Sequence, residues 1–126
     1  MLDHVVLTVG DLKRSAAFYK KVLGPLGHKN EVRYPGHEGH APLRGFGDAD
    51  EKYLLLKEGK PVPTAVHLAF SAKSKKVVQA FHRAALAAGG KDNGPPGVRE
   101  HYFASYYAAY VLDPDGYNVE AVYLGD

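Results

Sequence analysis

A chain of 126 residues, 45% of them hydrophobic, is long enough to bury one core and too short for two ordinary domains, so a single domain over residues 1–126 is expected. Charged residues make up 24% and nearly cancel at a formal +2, which argues against a nucleic-acid partner. Cysteine is absent, excluding disulfides and thiolate chemistry; Met1-Leu2-Asp3-His4 shows no basic segment leading into an apolar stretch and no window approaches a membrane-spanning apolar run, so the expectation is a soluble, cytoplasmic protein without membrane contact.

The first element is a strand, His4 to Val9, apolar and rich in β-branched residues. Asp11 then caps a helix whose apolar positions Leu12, Ala16, Tyr19 and Leu23 recur at helical spacing. Gly24-Pro25 ends it, with Gly24 expected in the left-handed conformation. Weaker strand signals follow around residues 28–34, 43–46 and 52–57, and residues 35–40 read as a turn-rich loop. Residues 58–63 contain two prolines and a glycine and form a natural joint. Beyond it the order repeats. There is a strand over residues 66–71, the cap Ser74, helical spacing of Val77, Phe81, Ala84 and Ala88, and a stop at Gly89-Gly90. The remaining strands are expected around Lys91 and over residues 102–112 and 117–124, with residues 93–97 as a loop.

Sliding the chain against itself by 63 residues superposes His4 on His67, Phe18 on Phe81, Leu23 on Leu86 and Gly27 on Gly90. The fold class expected is therefore α+β, with two βαβββ modules, residues 1–60 and 64–126. If the modules pack about an approximate two-fold axis, His4 and His67 approach each other. In the last strand Glu120 is a lone carboxylate in a mostly apolar run, and a buried carboxylate needs a partner. Two imidazoles and one carboxylate suit a divalent ion and leave coordination positions open for water or substrate. Taken one at a time, a strand His or Glu is more often an ordinary hydrogen-bonded residue; the repeat is what joins them.

The opening Leu2-Asp3-His4-Val5-Val6-Leu7-Thr8-Val9-Gly10-Asp11-Leu12 and the ending Asp113-Pro114-Asp115-Gly116-Tyr117-Asn118-Val119-Glu120 resemble the vicinal oxygen chelate superfamily, the glyoxalase, bleomycin-resistance and extradiol-dioxygenase group. The resemblance implies an incomplete barrel around one metal that chelates neighbouring substrate oxygens. The family's ligands carry over to His4, His67 and Glu120. Four-ligand members add a Glu or Gln where this chain has Leu54 or Leu55, so ordinary glyoxalase I activity is disfavoured. Three-ligand relatives place a tyrosine ten residues before the terminal Glu, here Tyr110. A hairpin through Pro114-Asp115-Gly116 would pair Tyr110 across from Glu120. His101 has the spacing of an acid–base His in ring-cleaving dioxygenases. Cavity walls are assigned to Phe46, Tyr53, Phe103, Tyr107 and Tyr110.

The resulting expectation is an enzyme of dioxygenase or lyase type, using iron, manganese, zinc, nickel or cobalt on a small molecule with vicinal oxygens. The alternative is a metal-free binder of a small molecule or antibiotic, its cleft lined by some of the nine tyrosines and five phenylalanines. Short relatives commonly form homodimers, and an exchange of modules would draw His4 from one chain and His67 with Glu120 from the other. The sequence leaves that arrangement open. Residues 37–40 and 48–51, which superficially suggest metal motifs, read as surface turns.

Overall fold

The computed structural model describes residues 1–102 and 104–125. Its first half runs β1 (Val5–Val9), α1 (Leu12–Leu23), β2 (Asn30–Tyr34), β3 (Leu43–Gly47) and β4 (Lys52–Glu58). A short 3-10 turn, Pro63–Ala65, leads to β5 (His67–Ser71), α2 (Lys75–Ala87), β6 (Lys91–Val98), β7 (Tyr107–Leu112) and β8 (Asn118–Tyr123). The strands form two four-stranded sheets, ordered β1-β4-β3-β2 and β5-β8-β7-β6. In each, the first strand lies parallel to the last and the other pairings are antiparallel. This is the expected α+β class built from two βαβββ units. Among the described residues the sheets are not closed into a barrel.

Each helix starts where its cap says it should. The Asp11 carboxylate accepts from the Arg14 amide and the Ser74 hydroxyl from the Val77 amide, each cap contributing about 1 kcal/mol. Alternation on the strands turns Leu7, Val9, Leu54 and Leu56 in the first sheet, and Val111, Val119 and Ala121 in the second, toward the helices. Phe18, Tyr19, Val22, Val78 and Phe81 meet them from α1 and α2, and all these side chains belong to one buried cluster spanning both halves. The helices touch each other as well as the sheets, so the core lies on the helix side. The opposite sheet faces are left open.

The β7–β8 hairpin locks the halves together. Gly116 is left-handed (φ 91°), which lets the chain reverse in a short loop. Buried Asp113 accepts from the Asp115 and Tyr117 amides, each at 2.9 Å, and from the Tyr19 hydroxyl of α1 at 2.5 Å. Asp115 accepts from Arg14 at 2.7 Å, and the Tyr117 hydroxyl donates to the Thr8 carbonyl of β1. Burial pushes the Asp113 carboxyl up and, with the nearby Asp113 charge, pushes the Tyr19 phenol well above its usual value.

Two local expectations are corrected. Gly24 is right-handed (φ −54°), because the chain makes one further turn that buries Leu26; the left-handed residue is Gly27 (φ 94°). Residues 93–97 are not a loop but part of β6. Pro95 and Pro96 fit there because β6 is an edge strand whose register shifts twice, at Asp92/Gly94 and Gly94/Gly97. No helix among the described residues is long and apolar enough to cross a membrane.

Candidate metal site

Registers fix the open face of the second sheet. Ala69 and Tyr110 both pair with Glu120, and His67 pairs with Asn118. Period-two alternation then sets His67, Asn118, Glu120 and Tyr110 on one face, away from Val119 and Ala121. The Glu120 residue is only 2% exposed, and its carboxylate would be costly there without partners. Both of its oxygens have one. His67 Nε2 lies 2.9 Å from Oε1, and the Tyr106 hydroxyl donates a short hydrogen bond to Oε2. The Tyr110 ring stands edge-on to His67 at 6.2 Å. Burial, aided by the Glu120 charge, pushes the Tyr110 phenol up to about 12. The Tyr106 phenol is raised further by burial and by its bond to Glu120.

His4 stands apart from this cluster. It precedes β1, its side chain about half exposed, with Nδ1 2.7 Å from an Asp3 carboxylate oxygen. It does share a cleft of about 340 Å³ with His67, lined also by Tyr53, Leu54, Leu68 and Phe70. Among the described residues, however, no three His, Asp or Glu side chains converge on one point. The chain thus brings together His67 and Glu120, with Tyr106 and Tyr110 around them, and leaves His4 outside the cluster. An imidazole nitrogen and a carboxylate oxygen side by side on rigid strands are donor types that a borderline divalent ion takes.

The first sheet has the same register and a different chemistry. Val6 pairs with Leu55 as Ala69 pairs with Glu120, so Leu55, not Leu54, is the counterpart of Glu120. Leu54 faces the helices and is buried. Tyr110 has Gly45 as its counterpart, and a Cβ there would come within 2.9 Å of the Leu55 and Tyr34 side chains. This face is apolar and open, with Val6 48% and Tyr34 39% exposed. A depression of about 500 Å³ beside it is lined by His4, Tyr34, Leu43, Lys52 and Leu55, among others.

His101 is exposed and stacks on Tyr102, which in turn packs on Tyr106, so its connection to Glu120 runs through two aromatic rings. Of the expected cavity walls, Tyr53 lines the cleft and Tyr110 the site. Phe46 and Tyr107 do not. Phe46 is buried in the common core, and Tyr107 packs against that core with its hydroxyl accepting from Gln79 of α2, because strand parity turns both toward the helices. Phe103 lies outside the described residues. Tyr106 was missed as a partner of Glu120. Its signal was the period-two series Tyr106, Ala108, Tyr110, which shares the Glu120 face.

No curated protein matches the sequence. Solved structures do. A glyoxalase/bleomycin resistance protein from Albidiferax ferrireducens superposes with a TM-score of 0.79 at 29% identity, covering 98% of both chains. A glyoxalase/bleomycin resistance protein/dioxygenase family enzyme from Burkholderia phytofirmans gives 0.74 at 20% identity, again over 98% of both. A variant of the fosfomycin resistance protein FosX from Listeria monocytogenes, solved with Mn(II) and 1S,2S-dihydroxypropylphosphonic acid, gives 0.69 at 20% identity over 97% of this chain and 88% of that one. The family model of the glyoxalase/bleomycin resistance protein/dioxygenase superfamily matches residues 1–121, and the chain belongs to that superfamily.

Proposed function

We propose that the protein is a metal-dependent enzyme of dioxygenase or lyase type acting on a small molecule with two neighbouring oxygens. In this reading His4, His67 and Glu120 hold one divalent ion, iron, manganese, zinc, nickel or cobalt, in a homodimer. Each site takes His67 and Glu120 from one copy and His4 from a second. The observation that carries the reading is the His67–Glu120 pair, a buried carboxylate and an imidazole 2.9 Å apart on an open sheet face. The position of His4 outside that cluster, and the exposed apolar face around Val6 and Tyr34, favour a second copy as the source of the third ligand. The manganese held by FosX, of similar fold, is consistent with a metal here.

The ion would supply Lewis-acid polarisation of the two substrate oxygens. The chain's own residues do the rest. Tyr110, paired across from Glu120 and edge-on to His67, would act as a hydrogen-bond donor toward a substrate oxygen. Tyr106 fixes the Glu120 carboxylate from the side away from His67. His101, at the rim, is the acid–base candidate. The domain is taken as residues 1–126, in modules 1–60 and 64–126, in a cytoplasmic protein without nucleic-acid or membrane partners.

One observation favours a second reading, a metal-free protein that binds a small molecule or antibiotic: His67 and Tyr106 already bond one oxygen each of the Glu120 carboxylate. Metal analysis of protein purified without chelator or His-tag separates the two. The enzyme reading expects about one ion per chain, lost in Glu120→Ala. Sub-stoichiometric metal that Glu120→Ala leaves unchanged would sink it. A metal-supplemented screen against catechols, 2-oxoaldehyde thiol adducts and fosfomycin then sorts the reaction.

A further inference from the structure

Two glycines of β6 face the candidate site, Gly94 opposite Tyr110 and Gly97 opposite Ala108. A Cβ at Gly97 would lie 3.0 Å from Arg99 Nη1, and one at Gly94 would lie 3.3 Å from Nη2 and 2.8 Å from the Tyr110 ring. The bare backbone lets the Arg99 side chain fold back along the strand and set its guanidinium against the Tyr110 ring, 5.3 Å from the centroid. Nη2 donates to the Pro95 carbonyl at 2.6 Å, which fixes the fork in place. Arg99 makes no ion pair among the described residues. Asp92, the acid whose charge it feels, turns Oδ1 to His82 of α2 and to the Gly94 amide.

A partly buried guanidinium whose one hydrogen bond among the described residues is to the Pro95 carbonyl has donors left for a planar or tetrahedral oxyanion. Its surroundings agree. Arg99, Asn93, Asn118, His101 and Tyr110 line a depression of about 230 Å³ with no carboxylate in its wall. Asn118 lies two residues before Glu120 on the same face, and the Tyr110 ring that carries Arg99 also meets His67. Anion receptor and candidate metal ligands therefore flank one aromatic ring.

We propose that Arg99 anchors a carboxylate or phosphonate of the small molecule, so that the protein takes anionic substrates whose neighbouring oxygens reach His67 and Glu120. The position of those oxygens rests on the metal-site reading; the anion site does not.

The test uses zinc-loaded wild type, Arg99→Gln and Arg99→Lys, titrated calorimetrically with protocatechuate, a catechol carboxylate, and with its methyl ester. Inorganic phosphate is titrated into the metal-free proteins alongside. Wild type should prefer acid over ester by about tenfold or more, Arg99→Gln should erase the preference and Arg99→Lys restore part of it. Phosphate binding should depend on Arg99 in the same way. Equal affinity for acid and ester in wild type, or a preference that survives Arg99→Gln, overturns the proposal. A weakened dimer with unchanged acid preference would assign the guanidinium to the contact between copies and also overturn it. If zinc is not taken up but phosphate binds through Arg99, the metal reading fails and the anchor stands. If zinc and ester bind while neither acid nor phosphate responds to Arg99, the anchor alone fails.

Discussion

Glu120 is held by side chains from β5 and from the turn before β7, and each partner was legible to a different degree. His67 could be read because one His opens the first strand of each repeat, and Glu120 because a lone carboxylate interrupts an apolar strand. Tyr106 was legible only through strand parity. Arg99 was not, because its guanidinium reaches backward over Gly94 and Gly97, and no sequence pattern records the direction of a long flexible side chain. Removing the Tyr106 hydroxyl leaves one oxygen of a buried carboxylate without its donor. Tyr106→Phe should therefore lower the stability of the metal-free protein by about 1–3 kcal/mol in urea unfolding, while exposed Tyr102→Phe stays within about 0.5 kcal/mol. The Tyr19 phenol titrates well above its usual value in the fold, so the folded state holds its proton longer than the unfolded chain does. The resulting stability is fully present below the unfolded pKa of about 10 and is lost as pH rises beyond it. Urea midpoints measured at rising alkaline pH should fall in wild type. They should fall less steeply in Tyr19→Phe, which starts about 1–3 kcal/mol less stable at neutral pH because Asp113 loses a buried donor.

At the scale of elements, the repeat in the sequence predicted both strand–helix openings and both caps, since caps and apolar periodicity are local. The edge strand β6 escaped, because its glycines and prolines read as a loop until pairing with β7 and two register shifts accommodate them. Which leucine stands opposite Glu120 also needed the pairing, as the offset between halves is 63 residues on the first strands and 65 on the last. The register makes a sharp prediction. Leu55→Glu puts a carboxylate on the open face at the counterpart of Glu120, and zinc affinity, measured by competition with a chromophoric chelator, should rise above wild type. Leu54→Glu, one residue away, buries a charge among the helices without a partner. It should cost more than about 3 kcal/mol and give no gain in affinity.

For the whole molecule, the helices and the Asp113 and Tyr117 contacts make one body of the two halves, yet both open sheet faces stay uncovered. One is apolar and holds His4 at its edge; the other holds His67 and Glu120. In the proposed dimer, pairing two copies would bring unlike faces together and complete two equivalent sites at once. Val6→Asp, on the apolar face, should shift the protein toward monomer in sedimentation velocity and reduce bound metal with it. The exchange itself is most directly tested by metal analysis of His4→Ala and Glu120→Ala, each alone and refolded together in equal amounts. Each variant alone should bind no ion. Random pairing makes half the dimers mixed, and each mixed dimer rebuilds one site from the intact His4 of one chain and the intact His67 and Glu120 of the other. The mixture should recover about a quarter of the wild-type metal. Metal retained by either variant alone, or no recovery on mixing, would contradict a site shared between two copies.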